Sequence, residues 1–108
     1  MQIFKQLEAI AALRRFYLFL VDATDGITPE TGEAAGQPQI SKNGAAFGNT
    51  SATLTAVGNG LYYVELTTSE FDTMGWIAVR YKSANTAEFQ ALGMVIPIDL
   101  FTVRNWGT

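Results

Sequence analysis

Between Phe16 and Ile98 the chain is cut into short runs by clusters of turn residues, and this punctuation limits the fold more than any other feature. The clusters are Asp22-Ala23-Thr24-Asp25-Gly26, Thr28-Pro29-Glu30-Thr31-Gly32, Asn43-Gly44, Gly58-Asn59-Gly60 and Ser83-Ala84-Asn85-Thr86. Once the turn around Thr67–Gly75 is added, no run between them has room for a long helix, and the runs suit strands of ordinary length. The intervening runs alternate as strands do. In Leu61–Leu66 the residues Tyr62, Val64 and Leu66 share one face, and in Trp76–Lys82 Ile77, Val79 and Tyr81 point inward while Arg80 and Lys82 point out. Ser51–Val57 sets Ala52, Leu54 and Ala56 against hydroxyl residues. Phe16–Val21 differs in being aromatic and branched on both faces, so its outward side needs a cover.

Further elements follow from local chemistry. Gln37–Lys42 reads as a strand with Ile40 inward and Pro38 at its start. Asn43-Gly44 signals a type I′ hairpin, because both central residues must accept positive φ, and Ala45-Ala46-Phe47 returns as a short strand. Thr67-Thr68-Ser69-Glu70 has capping-box spacing and predicts one helical turn through Phe71-Asp72, ended near Gly75. A long last strand runs from Glu88 to Ile98, with a kink expected at Gly93. About seven strands with this turn rhythm predict an all-β, immunoglobulin-like β-sandwich over residues 16–98. Phe19, Tyr62, Val64, Val79 and Tyr81 are the expected core. The cysteines and tryptophan that mark antibody domains are missing from it.

A chain of 108 residues has room for one such core. It contains no cysteine and no histidine, which removes disulfides, thiol chemistry and the usual neutral-pH general base. No carboxylate, lysine or tyrosine stands in a recognisable catalytic spacing, so the expectation is a protein that is not an enzyme and needs no cofactor. Charged residues are only 16% of the chain, against about 25% in soluble domains. That depletion fits a β surface rich in Thr, Ser and Asn, and equally a surface covered by a partner. Residues 1–15 hold three basic residues against one acid, whereas residues 16–98 hold three against eight. An acidic body argues against nucleic acid as a partner. Nothing resembles an export signal or a membrane span, since the apolar stretch Ala9–Leu13 is bounded by Glu8 and Arg14-Arg15.

The two ends carry apolar residues where polar ones are usual. Ile3, Leu7, Ile10 and Leu13, widened by Phe4 and Ala11, have helical spacing and predict a short helical arm over residues 1–15. So short a helix is marginal alone and needs a surface to dock on. Residues 99–108 form a tail with Leu100, Phe101, Val103 and Trp106. Each end either packs on its own domain or reaches a neighbouring subunit. On the second reading Ile3, Phe4, Leu7, Ile10, Leu13, Leu100, Phe101, Val103 and Trp106 bind a partner, with Trp106 as the aromatic anchor.

The succession Asp25–Gly32, Ile40–Phe47 and Gly58–Thr67 resembles immunoglobulin-like domains of tailed-bacteriophage structural proteins, over roughly residues 16–98. Such domains serve as capsid decoration proteins and as modules of tails and fibres. A single domain with an arm at each end is more like a decoration or cement protein. The resemblance therefore implies a virion protein, made in the host cytoplasm, that clamps major capsid or other virion subunits, as a homo-oligomer or as lattice-bound copies. The alternative it leaves is a receptor- or carbohydrate-binding module of a tail or fibre. Two weaker constellations remain. Asp22, Asp25, Glu30 and Glu33 offer oxygens for a hard cation, although turn-forming acids explain them as well. Tyr63 and Trp76 are the rings left exposed by alternation, as a sugar-stacking platform requires.

Overall fold

The computed structural model describes residues 2–97, and among them regular structure is almost entirely strand. The strands are β1 (Gln2–Lys5), β2 (Arg15–Phe19), β3 (Gln39–Lys42), β4 (Gly48–Asn49), β5 (Leu54–Gly58), β6 (Leu61–Glu65), β7 (Gly75–Tyr81) and β8 (Phe89–Ile96). They form a five-stranded sheet in the order β1-β8-β7-β3-β4 and a three-stranded sheet in the order β2-β6-β5. One core draws on both sheets: Phe16, Leu18 and Leu20, then Leu54, then Tyr62, Val64 and Leu66 from the smaller, against Phe4, Ile77, Val79, Tyr81 and Val95 from the larger. The all-β expectation and the inward faces of β6 and β7 hold.

Three turns read from sequence appear with their chemistry intact. Asn43 and Gly44 take φ of 51° and 82°, and Gly58, Asn59 and Gly60 all have positive φ where β5 hands over to β6. Thr67 caps a 3₁₀ turn at Thr68–Phe71, its side chain accepting from the Glu70 N–H while the Glu70 carboxylate accepts from the Thr67 N–H at 2.8 Å. That turn places Phe71 in the core, fully buried.

The arm is not helical. Gln2–Lys5 pairs in parallel with β8, and the stripe of Ile3, Leu7, Ile10 and Leu13 is broken at Leu7, whose φ is 54°. Only Ala11–Arg14 makes a 3₁₀ turn. The physical reason lies in Phe4. Its ring stacks on Phe71 at 4.5 Å between centroids and meets Phe16 at 5.2 Å, over the site where Gly93 has no side chain. A Cβ at Gly93 would stand 3.0 Å from the Phe4 ring. So Gly93, expected to kink the last strand, instead makes room for β1, and β8 keeps register with β7 through it. The open edge of β8 supplies backbone hydrogen bonds that outweigh a marginal helix.

Three smaller expectations are also corrected. Phe19 is not core but 48% exposed, because alternation in β2 turns Phe16 and Leu18 inward and leaves Tyr17 and Phe19 outside. The strand after the Asn43-Gly44 turn is Gly48–Asn49 instead of Ala45–Phe47, because Ala45 continues the turn, donating its N–H to the Lys42 carbonyl. Ala56 is exposed rather than inward, beside the register shift between Ala56 and Gly58.

Candidate docking faces

With the inward faces buried, what the strands present outward follows from register. On the three-stranded sheet Arg15 stands opposite Glu65, Tyr17 opposite Tyr63 and Phe19 opposite Leu61, with Thr55 beyond Tyr63 on β5. Tyr17 is 43% exposed, Phe19 48% and Val57 56%. The Arg15 guanidinium lies 4.3 Å from the Tyr63 ring centroid and holds Glu65 at 3.1 Å, and the two tyrosine rings tilt together at 5.9 Å. That hydrogen bond to Glu65 raises the Arg15 pKa above its usual value. The result is an aromatic strip closed at one end by a neutral ion pair.

On the five-stranded sheet Ile3, Met94 and Trp76 form one outward row across β1, β8 and β7, and Leu92 with Ala78 forms the next. Ile3, Trp76 and Leu92 are each about half exposed. Beyond them the face turns polar: Arg80 is bound by Gln39 at 2.8 Å and by Glu88 at 3.0 Å, at the rim of an open depression of about 450 Å³ that also takes in Asn49 and Lys82. Glu88 accepts from Arg80 and from Gln90, which holds its pKa below the ordinary range.

The arm residues named from sequence therefore divide. Ile3 belongs to the five-stranded outer face. Leu7, Ile10 and Leu13 lie exposed on the segment that crosses from one sheet to the other. Phe4 is 3% exposed and is withdrawn as a partner-binding residue. The crossing segment is fastened by Arg14, which donates to the carbonyls of Glu8, Ala9 and Leu66. Leu100, Phe101, Val103 and Trp106 lie outside the described residues. Tyr17 and Phe19 are the functional candidates that sequence reasoning undervalued; the signal was the run Phe16–Val21, apolar on both faces.

The other constellations come apart. Asp25 caps its own turn, accepting from the Thr28 hydroxyl and from the Ile27 and Thr28 N–H groups, which lowers its pKa to about 2. Glu33 is buried and accepts from the Tyr81 hydroxyl at 2.8 Å. Among the described residues no acids gather as a metal site would require. Tyr63 and Trp76 stand on opposite sheets, and Arg15 already occupies a face of Tyr63. Among the described residues no helix is long and apolar enough to cross a membrane.

Comparison of the chain with family models, with curated proteins and with solved structures finds no match. Its role is read from its own surface.

Proposed function

We propose that the chain is an immunoglobulin-like β-sandwich acting without catalysis, as a structural virion protein of a tailed phage that clamps neighbouring subunits from the outside. The observation that carries this reading is the aromatic strip of Tyr17, Phe19 and Tyr63 with Val57, an apolar surface on a sheet whose inner side is already packed. Contiguous exposed apolar side chains on a folded domain are a feature of contact surfaces. Leu7, Ile10 and Leu13 on the crossing segment extend the apolar surface beyond the sheets. Decoration suits such a surface, because individually weak contacts add up when many copies bind one lattice. The partners on this reading are capsid or other virion subunits, and neither nucleic acid nor a cofactor is required.

The receptor- or carbohydrate-binding alternative is less well supported, since its two exposed rings cannot face one ligand. Counting copies in purified particles by quantitative mass spectrometry tests the assignment. Hundreds of copies per particle are expected of a decoration protein. A dozen or fewer would move the chain to a tail or fibre, and absence from particles would overturn the virion reading.

A further inference from the structure

The chain contains two Asn-Gly steps, Asn43-Gly44 and Asn59-Gly60, and each lies in a tight turn. Asparagine before glycine is prone to deamidation, because glycine has no side chain to shield its own nitrogen from the preceding side-chain carbonyl. The glycine nitrogen attacks Cγ and gives up its proton, and the Cγ–Nδ2 bond breaks as ammonia leaves, closing a succinimide ring. Water then opens the ring. Cleavage at Cγ gives aspartate, and cleavage at the main-chain carbonyl gives isoaspartate. Water is consumed, ammonia is released, and nothing is oxidised or reduced.

The backbone does not separate the two sites. Asn43 and Gly44 have φ of 51° and 82°, and Asn59 and Gly60 have 53° and 85°. The side-chain amides do separate them. Asn43 Nδ2 donates to the Met74 carbonyl at 3.0 Å, and Asn43 Oδ1 accepts from the Trp76 N–H at 2.9 Å. The amide thereby ties the turn after β3 to the start of β7, and it lies so close to Gly75 that a Cβ there would collide with it. Bringing Cγ of Asn43 onto the Gly44 nitrogen breaks both hydrogen bonds. Asn59 is exposed, and among the described residues neither its amide nor the Gly60 N–H makes a hydrogen bond. Gly60 is anchored through its carbonyl, which accepts from the Leu20 N–H at 2.9 Å, so its nitrogen is left unbonded.

We propose that Asn59 is a site of spontaneous deamidation in the native protein, and that the fold protects Asn43 from the same reaction. The new carboxylate enters the stretch Ser51–Val64, which holds no charged residue, in the turn between Val57 and Leu61. On the docking reading above, conversion of Asn59 places a negative charge at one end of the aromatic strip and weakens the contact as the protein ages. The reaction itself needs no partner, so its measurement stands apart from the virion reading and the failure of one leaves the other intact.

Incubating the purified full chain in mildly alkaline buffer tests the proposal, since removal of the glycine proton is promoted by base. Mass spectrometry with fragmentation between residues 43 and 59 reads the exchange of the amide NH2 for OH at each position over time. Two hydrogen bonds of ordinary net strength correspond to roughly tenfold in rate, so Asn59 should convert roughly tenfold faster than Asn43 in the folded protein. In enough urea to unfold the chain the two steps should convert at similar rates. Asn59→Gln should remove the main native product, because the longer side chain closes its ring far more slowly. Equal native rates, or faster conversion at Asn43, would overturn the proposal. An Asn59 that stays intact in the folded protein while the unfolded chain converts at both positions would do the same. A preference for Asn59 that persists unchanged in urea would also overturn it, by assigning the difference to the neighbouring sequence and not to the fold.

Discussion

Tyr81 sits at the end of β7, almost wholly buried, with its hydroxyl donated to the Glu33 carboxylate. Through that bond it holds the loop after Thr28, which has no regular structure, against the core. Tyr62 works beside it, donating to the Glu30 carbonyl at 2.7 Å and accepting from the Glu33 N–H. Burial, and then the Glu33 carboxylate, push the Tyr81 phenol up to about 12 from an ordinary 10.0. The folded state thus favours the neutral phenol. Its contribution to stability is complete below pH 10 and is lost as pH rises from 10 towards 12. Tyr81→Phe keeps the ring but leaves Glu33 without that donor, so denaturant unfolding at pH 7 should show a loss of about 1–3 kcal/mol. The same variant should lack the part of the alkaline stability loss that belongs to Tyr81, which a Tm series from pH 9 to 12 would reveal.

The strands β6 and β7 were legible because period-two alternation over five to seven residues admits no other inward set. Turns were legible for the same local reason: Asn43-Gly44, Gly58-Asn59-Gly60 and the Thr67–Glu70 box carry their conformations in their own side chains or lack of them. What misled was β1. Four residues cannot display a period, and the spacing of Ile3, Leu7, Ile10 and Leu13 imitates a helix. The deciding facts were non-local: a free edge on β8, a cleft above Gly93 and a pocket beside Phe71 that only the folded chain presents. Phe4 therefore changes role, from partner contact to core. Phe4→Ala should cost about 3–5 kcal/mol in the isolated protein, a core penalty that an exposed docking residue would not incur. Urea unfolding measures it, and a change below about 0.5 kcal/mol would return Phe4 to the surface. Phe19 was misplaced by one register step, since a run apolar on both faces does not say which face is inside.

At the scale of the molecule, the sheet edges are guarded in several places while the faces are open. Beside β5, Leu54 exchanges hydrogen bonds with the loop at Ala35 and Gly36, at 2.9 and 2.7 Å. Beside β2, the Gln2 side chain donates to the Arg15 carbonyl at 2.9 Å and accepts from the Tyr17 N–H at 2.8 Å. Further along, Ala87 donates to the Val21 carbonyl. The edge strand β4 is only two residues long, and β1 carries Lys5. These are the usual defences against strand addition, so a partner has to approach a face. The alternation of β2 turns that into a test with its own control. Tyr17 and Phe19 point out, and Leu18 between them is fully buried. Tyr17→Ser with Phe19→Ser should leave the melting temperature within a few degrees of the parent, because surface changes away from special features cost little. Leu18→Ser removes a core side chain and buries a hydroxyl, which should destabilise the domain by several kcal/mol. If the chain decorates particles as proposed, the double variant should then be folded yet unbound. Full occupancy by a folded double variant would show that the aromatic strip is not the docking face and shift the contact to Leu7, Ile10 and Leu13. Loss of stability in the double variant would mean instead that Tyr17 and Phe19 stabilise their own sheet, through rows such as Tyr17–Tyr63 and Phe19–Leu61, and that the strip serves the fold before it serves a partner.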